Sequence, residues 1–158
     1  MNKNKIQILR EELGNLQQAA DYLQYSIDRT GELIGKPSWS PEELERIESL
    51  TSRFARLADM ITQRVMRLID SLELNPEASL LDRIYRAEKR GWIDQAEQLI
   101  QIRELRNLIA HEYAADKMAE MYAAIAMLAP KLLAMVPEIM VYADNLVKSL
   151  ASFKNARK

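Results

Sequence analysis

Cysteine is absent from this chain of 158 residues, and histidine occurs only once. Without cysteine, the chain can form no disulfide, no thiolate nucleophile and no cysteine-based zinc site. A single histidine excludes a multi-histidine metal site within one subunit. The absence of cysteine fits a reducing compartment, and the N-terminal residues contain no apolar stretch typical of a secretory signal. We therefore expect a cytoplasmic protein.

An excess of positive charge is also missing, because the formal net charge is −1. The chain lacks the overall basic character of a protein that coats nucleic acid, although the net charge does not exclude a local basic patch. The most apolar stretch, residues 121–143, is interrupted by Lys131 and Glu138. Its uncharged run is too short to span a bilayer. We expect a buried core helix there, and no membrane partner.

The apolar residues of the chain recur mostly with the period of an α-helix. Apolar residues recur at spacings of three and four in the first segment and again from Phe54 to Leu72. Capping signals at Ser40, Ser79 and Asp94 mark helix starts, and no segment alternates with the period of a strand. Five helices are predicted, over residues 3–34, 41–73, 79–89, 94–113 and 116–150. The predicted fold is all-α, an up-and-down antiparallel bundle in one domain over 1–150, with a flexible tail over 151–158.

The fourth predicted helix ends in residues 106–113, Arg-Asn-Leu-Ile-Ala-His-Glu-Tyr, which include the single histidine. Histidine can exchange a proton near neutral pH, and arginine can hold a phosphate through a fork of donors. Arg106 and His111 therefore supply groups for a metal-independent attack of an RNA 2′-hydroxyl on its neighbouring phosphate. The alternative is a histidine that is merely stabilised by the helix dipole.

The spacing of these residues sets a geometric condition on such a site. Residues five apart lie about 140° apart around a regular helix. Arg106 and His111 would therefore not share a face of a straight helix, whereas Asn107 and His111 would. Arg106 and His111 can converge only if the helix ends or loosens near His111, or if they meet partners across a dimer.

The pattern Arg106-Asn107-x-x-x-His111-x-Tyr113 resembles the signature of the HEPN ribonucleases, an arginine followed by a polar residue and then a histidine. The tyrosine two residues after the histidine is similar to the R-x4-H-x-Y motif of the HepT-like toxins in that family. Two long predicted helices before the motif and one after it are similar to the HEPN bundle.

This resemblance implies a homodimer whose two motifs form a metal-independent endoribonuclease site for RNA, without a cofactor. Arg106 and His111 would be catalytic, and Asn107 would support them. It also implies a cognate nucleotidyltransferase antitoxin of the MntA type, which neutralises the toxin by transferring AMP to Tyr113. The added charge and bulk would repel and exclude RNA. The alternatives are a catalytically weak HEPN partner or substrate of that nucleotidyltransferase, and an unrelated helical adaptor.

A second basic feature lies on the short third predicted helix. Arg83, Arg86 and Arg90 are spaced by three and four residues and therefore share one face. This face is predicted either to follow an RNA backbone beside the motif or simply to be solvated.

Overall fold

The computed structural model describes residues 2–111 and 115–157 of the chain. These residues form α1 (Asn2–Thr30), α2 (Pro41–Asp59), a π-helical segment (Met60–Val65), α3 (Met66–Leu72), α4 (Leu80–Lys89), α5 (Ala96–Ile109) and α6 (Ala115–Ala156). The segments from α2 to α3 are continuous, so the described residues make up five helical rods and contain no strand. The predicted all-α bundle of five helices is confirmed.

The core is formed by one apolar face from each long helix. Leu9, Leu16 and Leu23 of α1 are fully buried at the seven-residue spacing of a single helix face. They meet Phe54 of α2 and Ile125 of α6 in the same apolar cluster. By length and composition α6 could cross a membrane, a test that the core helix of a soluble protein also passes. In this structure, one side of α6 belongs to the core, as predicted for residues 121–143.

The first two predicted helix starts are confirmed as capping boxes. The Ser40 hydroxyl accepts from the Glu43 backbone N–H at 3.1 Å, and the Ser40 N–H donates to the Glu43 carboxylate at 3.0 Å. A hydrogen bond from Lys36, followed by the bond from the Ser40 backbone, lowers the pKa of Glu43 to about 2. Ser79 and Asp82 form the same reciprocal pair at the start of α4.

The third predicted start, at Asp94, is wrong. α5 begins at Ala96, and Gln95 at its N-cap makes no side-chain capping bond. The Ala96 backbone N–H donates instead to the Glu88 carboxylate at 2.6 Å. A carboxylate from the end of α4 therefore satisfies the donor that a local cap would otherwise satisfy.

Two other predicted helix ends also differ from the structure. α1 ends at Thr30 rather than at residue 34, and turns containing Gly31 and Gly35 follow, the latter with φ of +89°. α6 continues to Ala156, so residues 151–156 of the predicted tail are helical. The helix can continue because no glycine or proline follows residue 150.

The π-helical segment changes the face that the second rod presents to the core. The Met66 N–H donates to the Ile61 carbonyl, five residues earlier, so this turn holds one residue more than an α-turn. Ile69 is fully buried after this turn, whereas Leu68 of the predicted apolar stripe is only half-buried. Asp59 is the last residue of α2 before this change of register.

The basic face of α4 is engaged in contacts within the chain, so the prediction of a simply solvated face is wrong, and the RNA contact stays a prediction. Arg86 forms an ion pair with Asp70 at 2.6 Å, and Arg90 forms one with Glu73 at 2.7 Å. Arg83 is 8% exposed and donates to a backbone carbonyl at 2.7 Å. Arg86 and Arg90 attach α4 to the end of the second rod, since Asp70 lies in α3 and Glu73 directly follows it.

Leu74 is the only described residue other than glycine with a positive φ, at 63°. It follows the end of α3, where the Asn75 N–H donates to the Asp70 carbonyl at 2.7 Å and closes the helix. Glycine is the usual residue at this position, because an L-residue in the left-handed conformation costs about 1–2 kcal/mol. The Leu74 side chain is 83% exposed, so packing recovers little of that cost.

We expect Leu74→Gly to raise the free energy of unfolding by about 0.5–1 kcal/mol, because the backbone strain disappears and little packing is lost. Urea denaturation followed by circular dichroism measures the change. Leu74→Ala is the matched control: it removes the side chain but keeps the strained backbone, and it should change stability very little. A lower stability for Leu74→Gly would contradict the strain argument.

Candidate active site

Arg106 lies in the last turn of α5 and is held by a carboxylate from α2. Its Nε donates to Asp59 Oδ1 at 2.6 Å, and its Nη2 donates to Asp59 Oδ2 at 2.8 Å. This is the two-point geometry that fixes both the position and the plane of a guanidinium. Arg103, one turn earlier on the same side of α5, also donates to Asp59 Oδ1, at 3.2 Å.

The pair leaves Arg106 charged and still able to bind an anion. Its hydrogen bonds to Asp59 raise the pKa of Arg106 above the usual arginine value, despite a smaller opposing effect of burial. Two of the five side-chain N–H groups are used in these bonds. Among the described residues, none accepts from the two hydrogens on Nη1 or from the second hydrogen on Nη2. The side chain is 28% exposed, so a phosphate can reach them.

Arg106 lines a groove of about 500 Å³ between α2, the end of α5 and the start of α6. The groove has the size of a small-ligand site and mixes polar with apolar walls. Its other lining residues are Glu48, Thr51, Ser52, Ala55, Ile109, Ala110, Met118 and Tyr122. A phosphate on Arg106 would therefore have apolar surface beside it for an attached base or sugar.

α5 ends before His111, at Ile109, so the predicted helix end at residue 113 is wrong. The Ala110 N–H donates to the Asn107 carbonyl at 3.2 Å, and the His111 N–H donates to the Leu108 carbonyl at 3.1 Å. Both bonds span three residues and tighten the last turn, as is common at helix ends. The condition that the helix should end near His111 is therefore met.

The structure nevertheless does not bring all the motif residues together. The side chain of His111 is exposed and does not line the groove at Arg106. No hydrogen bond joins these two side chains in the part of the chain that the structure describes. Asn107 is exposed on the surface of α5. Tyr113, the predicted site of AMP transfer, lies outside the described residues.

An exposed apolar surface lies between α5 and α6. Leu108 of α5 is 49% exposed and Met127 of α6 is 73% exposed. Both line a shallow groove of about 510 Å³ between the two helices, together with Gln101, Glu104, Leu105, Ala124 and Leu128. We call this surface the α5–α6 face. His111 follows Leu108 by three residues in the sequence but does not line this groove.

Asp59 is the site residue that sequence reasoning missed. It is 47 positions from Arg106 along the chain, and no motif connects the two. An acidic residue on an amphipathic helix is ordinarily a solvent-facing charge, and Asp59 has no feature that would distinguish it from the others. Only the packing of α2 against α5 shows the pairing.

Among residues 2–111 and 115–157, no group of three or more histidine, aspartate and glutamate side chains could hold a metal ion. Comparison with protein-family models, with curated proteins and with solved structures finds no match to this chain. The resemblance to HEPN ribonucleases accordingly depends on the motif from Arg106 to Tyr113 and on the helical architecture around it.

Proposed function

We propose that this chain is a HepT-like HEPN endoribonuclease that acts as a toxin in the cytoplasm. The observation that carries the proposal is Arg106, whose guanidinium is held by Asp59 and whose side chain lines an open groove. In the proposed reaction His111 takes the proton from an RNA 2′-hydroxyl, and the 2′-oxygen attacks the neighbouring phosphate. The bond to the 5′-oxygen breaks and a proton passes to that oxygen, leaving a 2′,3′-cyclic phosphate. Arg106 stabilises the charge that develops on the phosphate.

The same proposal includes a homodimer. Among the described residues, no hydrogen bond joins His111 to Arg106 and His111 does not line the groove at Arg106, so we expect a second copy to complete the site. The α5–α6 face supports this arrangement, because it is apolar and exposed, and its residue Leu108 lies three positions before His111 in the sequence. Two copies that meet on this face would bring their His111 side chains into one cleft and would bury Leu108 and Met127.

Regulation by AMP transfer belongs to this proposal as well. A cognate nucleotidyltransferase would join the Tyr113 oxygen to the α-phosphate of ATP and release pyrophosphate. Because Tyr113 follows His111 by two residues, the adenylate would stand beside the histidine. Its negative charge and its bulk would exclude the phosphate of RNA.

One observation favours a second function, that of a catalytically weak binding partner or substrate of the nucleotidyltransferase. Arg106 already has an anionic partner in Asp59, whose negative charge offsets the positive charge of the guanidinium before any RNA arrives. A site of this kind could bind without cleaving. The two functions predict different results for the same variants.

The proposal is tested by expressing the wild type, His111→Ala and Tyr113→Phe in cells, each with and without a neighbouring nucleotidyltransferase. We expect the wild type to arrest growth and degrade RNA, and His111→Ala to do neither, because it lacks the proton-transfer group. The nucleotidyltransferase should rescue the wild type but not Tyr113→Phe, which lacks the hydroxyl that accepts AMP. Glu97→Ala, an exposed change in the first turn of α5, is the matched control and should behave like the wild type.

Expression without the nucleotidyltransferase distinguishes the ribonuclease function from the binding-partner function. If wild type and His111→Ala are folded and equally harmless, the ribonuclease proposal fails. AMP transfer to Tyr113 in such a harmless protein would support the binding-partner function instead. Loss of growth arrest in Glu97→Ala would show that the assay responds to general damage to α5.

A further inference from the structure

A second groove lies at the end of the bundle, where the start of α1, the end of α6 and the chain after α3 meet. Its volume is about 870 Å³. The apolar lining residues are Ile6, Leu74, Val147, Leu150, Ala151 and Phe153. We call it the terminal groove. Ile6, Val147 and Leu150 are half-buried along its floor, whereas Leu74 and Phe153 are 83% and 68% exposed at its edges.

The rim of the terminal groove is positively charged. Lys3, Arg10, Lys154 and Arg157 line it, and no carboxylate of residues 2–111 or 115–157 does. These four side chains form no ion pair with any residue that the structure describes. The chain as a whole has a net charge of −1, so this cluster is a local concentration of one sign. Such a surface attracts a partner that carries negative charge.

Leu74 supplies an independent indication that this groove is a docking surface. Its backbone is in the left-handed conformation, at φ of 63°, which costs a leucine free energy that glycine would avoid. The Leu74 side chain is exposed to solvent at the edge of an apolar groove. Intramolecular packing does not account for a leucine here, whereas contact with a partner would.

We propose that the terminal groove binds an acidic amphipathic helix of a partner protein. The α6 side of the groove, from Val147 to Arg157, extends about 15 Å, the length of a helix of about ten residues. Apolar residues of the partner at helical spacing would fill the floor beside Leu150. Aspartate and glutamate on its flanks would meet the cationic rim. This is the helix-in-groove mode of recognition, with charge fixing the orientation.

The shape of the groove favours such a helix over a membrane surface or RNA. A flat lipid surface would touch the protruding Leu74 and Phe153, but it would leave the recessed floor between α1 and α6 empty. RNA bases need aromatic platforms and hydrogen-bonding groups. The lining residues offer one aromatic side chain and neither an amide nor a hydroxyl side chain.

Fluorescence anisotropy with a labelled synthetic peptide tests the proposal. The probe is a capped helical peptide with leucines at every third and fourth position and glutamates beside them; a scrambled peptide of the same composition is the reference. We expect the full chain to bind the probe at least tenfold more tightly than the scrambled peptide. The double variant Arg10→Glu and Lys154→Glu should weaken binding about tenfold, and Leu74→Gly about threefold.

The matched control reverses two exposed cations that do not line the groove, Arg56→Glu and Lys89→Glu, and it should bind like the wild type. Equal binding of the probe and the scrambled peptide would overturn the proposal. Tighter binding to vesicles of phosphatidylglycerol, or to single-stranded RNA, with loss in the Arg10 and Lys154 variant, would also overturn it. None of these measurements depends on ribonuclease activity.

Discussion

Arg106→Ala is expected to lower kcat/KM for RNA cleavage by about 100- to 1,000-fold, the usual effect of removing one group that stabilises transition-state charge. The variant loses the only guanidinium of the motif, and with it the donors on Nη1 and Nη2 that Asp59 does not occupy. Cleavage of a fluorogenic RNA by the purified chain, in the presence of EDTA, measures the change. A decrease smaller than threefold would remove Arg106 from the proposed mechanism.

Arg106→Lys distinguishes charge from geometry in the same assay. Lysine keeps the positive charge, but it cannot form the two parallel bonds that Arg106 makes with Asp59. We expect this variant to stay at least tenfold below the wild type. Full activity would mean that a point charge is sufficient and that the two-point geometry has no part in catalysis.

Asp59 is expected to act as a positioning residue, and its variant should affect kcat and KM differently. Asp59→Asn keeps the size of the side chain but loses its charge, so the guanidinium of Arg106 is oriented less well. We expect kcat to fall about tenfold because of this misplacement. KM should stay the same or fall, since a carboxylate near the phosphate is removed. A merely structural role would lower thermal stability without this split between kcat and KM.

The helices could be predicted from the sequence because each depends on local rules. The apolar spacing of α1 and the capping boxes at Ser40 and Ser79 are local patterns, and the structure contains all three. The start of α5 depends instead on Glu88, which belongs to another helix. When a backbone N–H at the start of a helix donates to a side chain of the preceding helix, the sequence around that start contains no capping residue to indicate it.

The candidate site was predictable only in part for the same reason. The motif identifies Arg106 and His111 by their spacing, but their chemistry depends on neighbours from elsewhere in the fold. The carboxylate of Asp59 reaches Arg106 from a different helix. The basic residues of α4 show the opposite error: Arg86 and Arg90 share a face, as predicted, but carboxylates from the end of the second rod occupy them.

Arg86→Met is expected to lower the free energy of unfolding at neutral pH by about 3 kcal/mol. Arg86 donates to Asp70 Oδ1 at 2.6 Å, and Asp70 is only 3% exposed. The other oxygen, Oδ2, is buried without a hydrogen bond in the described structure. Without Arg86, the carboxylate would remain buried with much less compensation for its lost hydration. Urea denaturation of the variant and of Lys89→Met, an exposed change on the same helix, measures the difference.

The pH dependence of this loss identifies its cause. Burial raises the pKa of Asp70 above its usual value, and the attraction of Arg86 is the largest opposing effect, followed by Arg83 and Arg90. Removing Arg86 should therefore raise this pKa further. Because the pKa of Asp70 is higher in the folded than in the unfolded protein, its proton stabilises the fold. This contribution is fully present at a pH below the unfolded-state pKa, about 4, and is lost as the pH rises through the folded-state pKa. The deficit of Arg86→Met should consequently shrink as the pH falls from 7 towards 4, because protonation removes the buried charge. A deficit that stays constant over this range would mean that lost side-chain packing, rather than an uncompensated carboxylate, destabilises the variant.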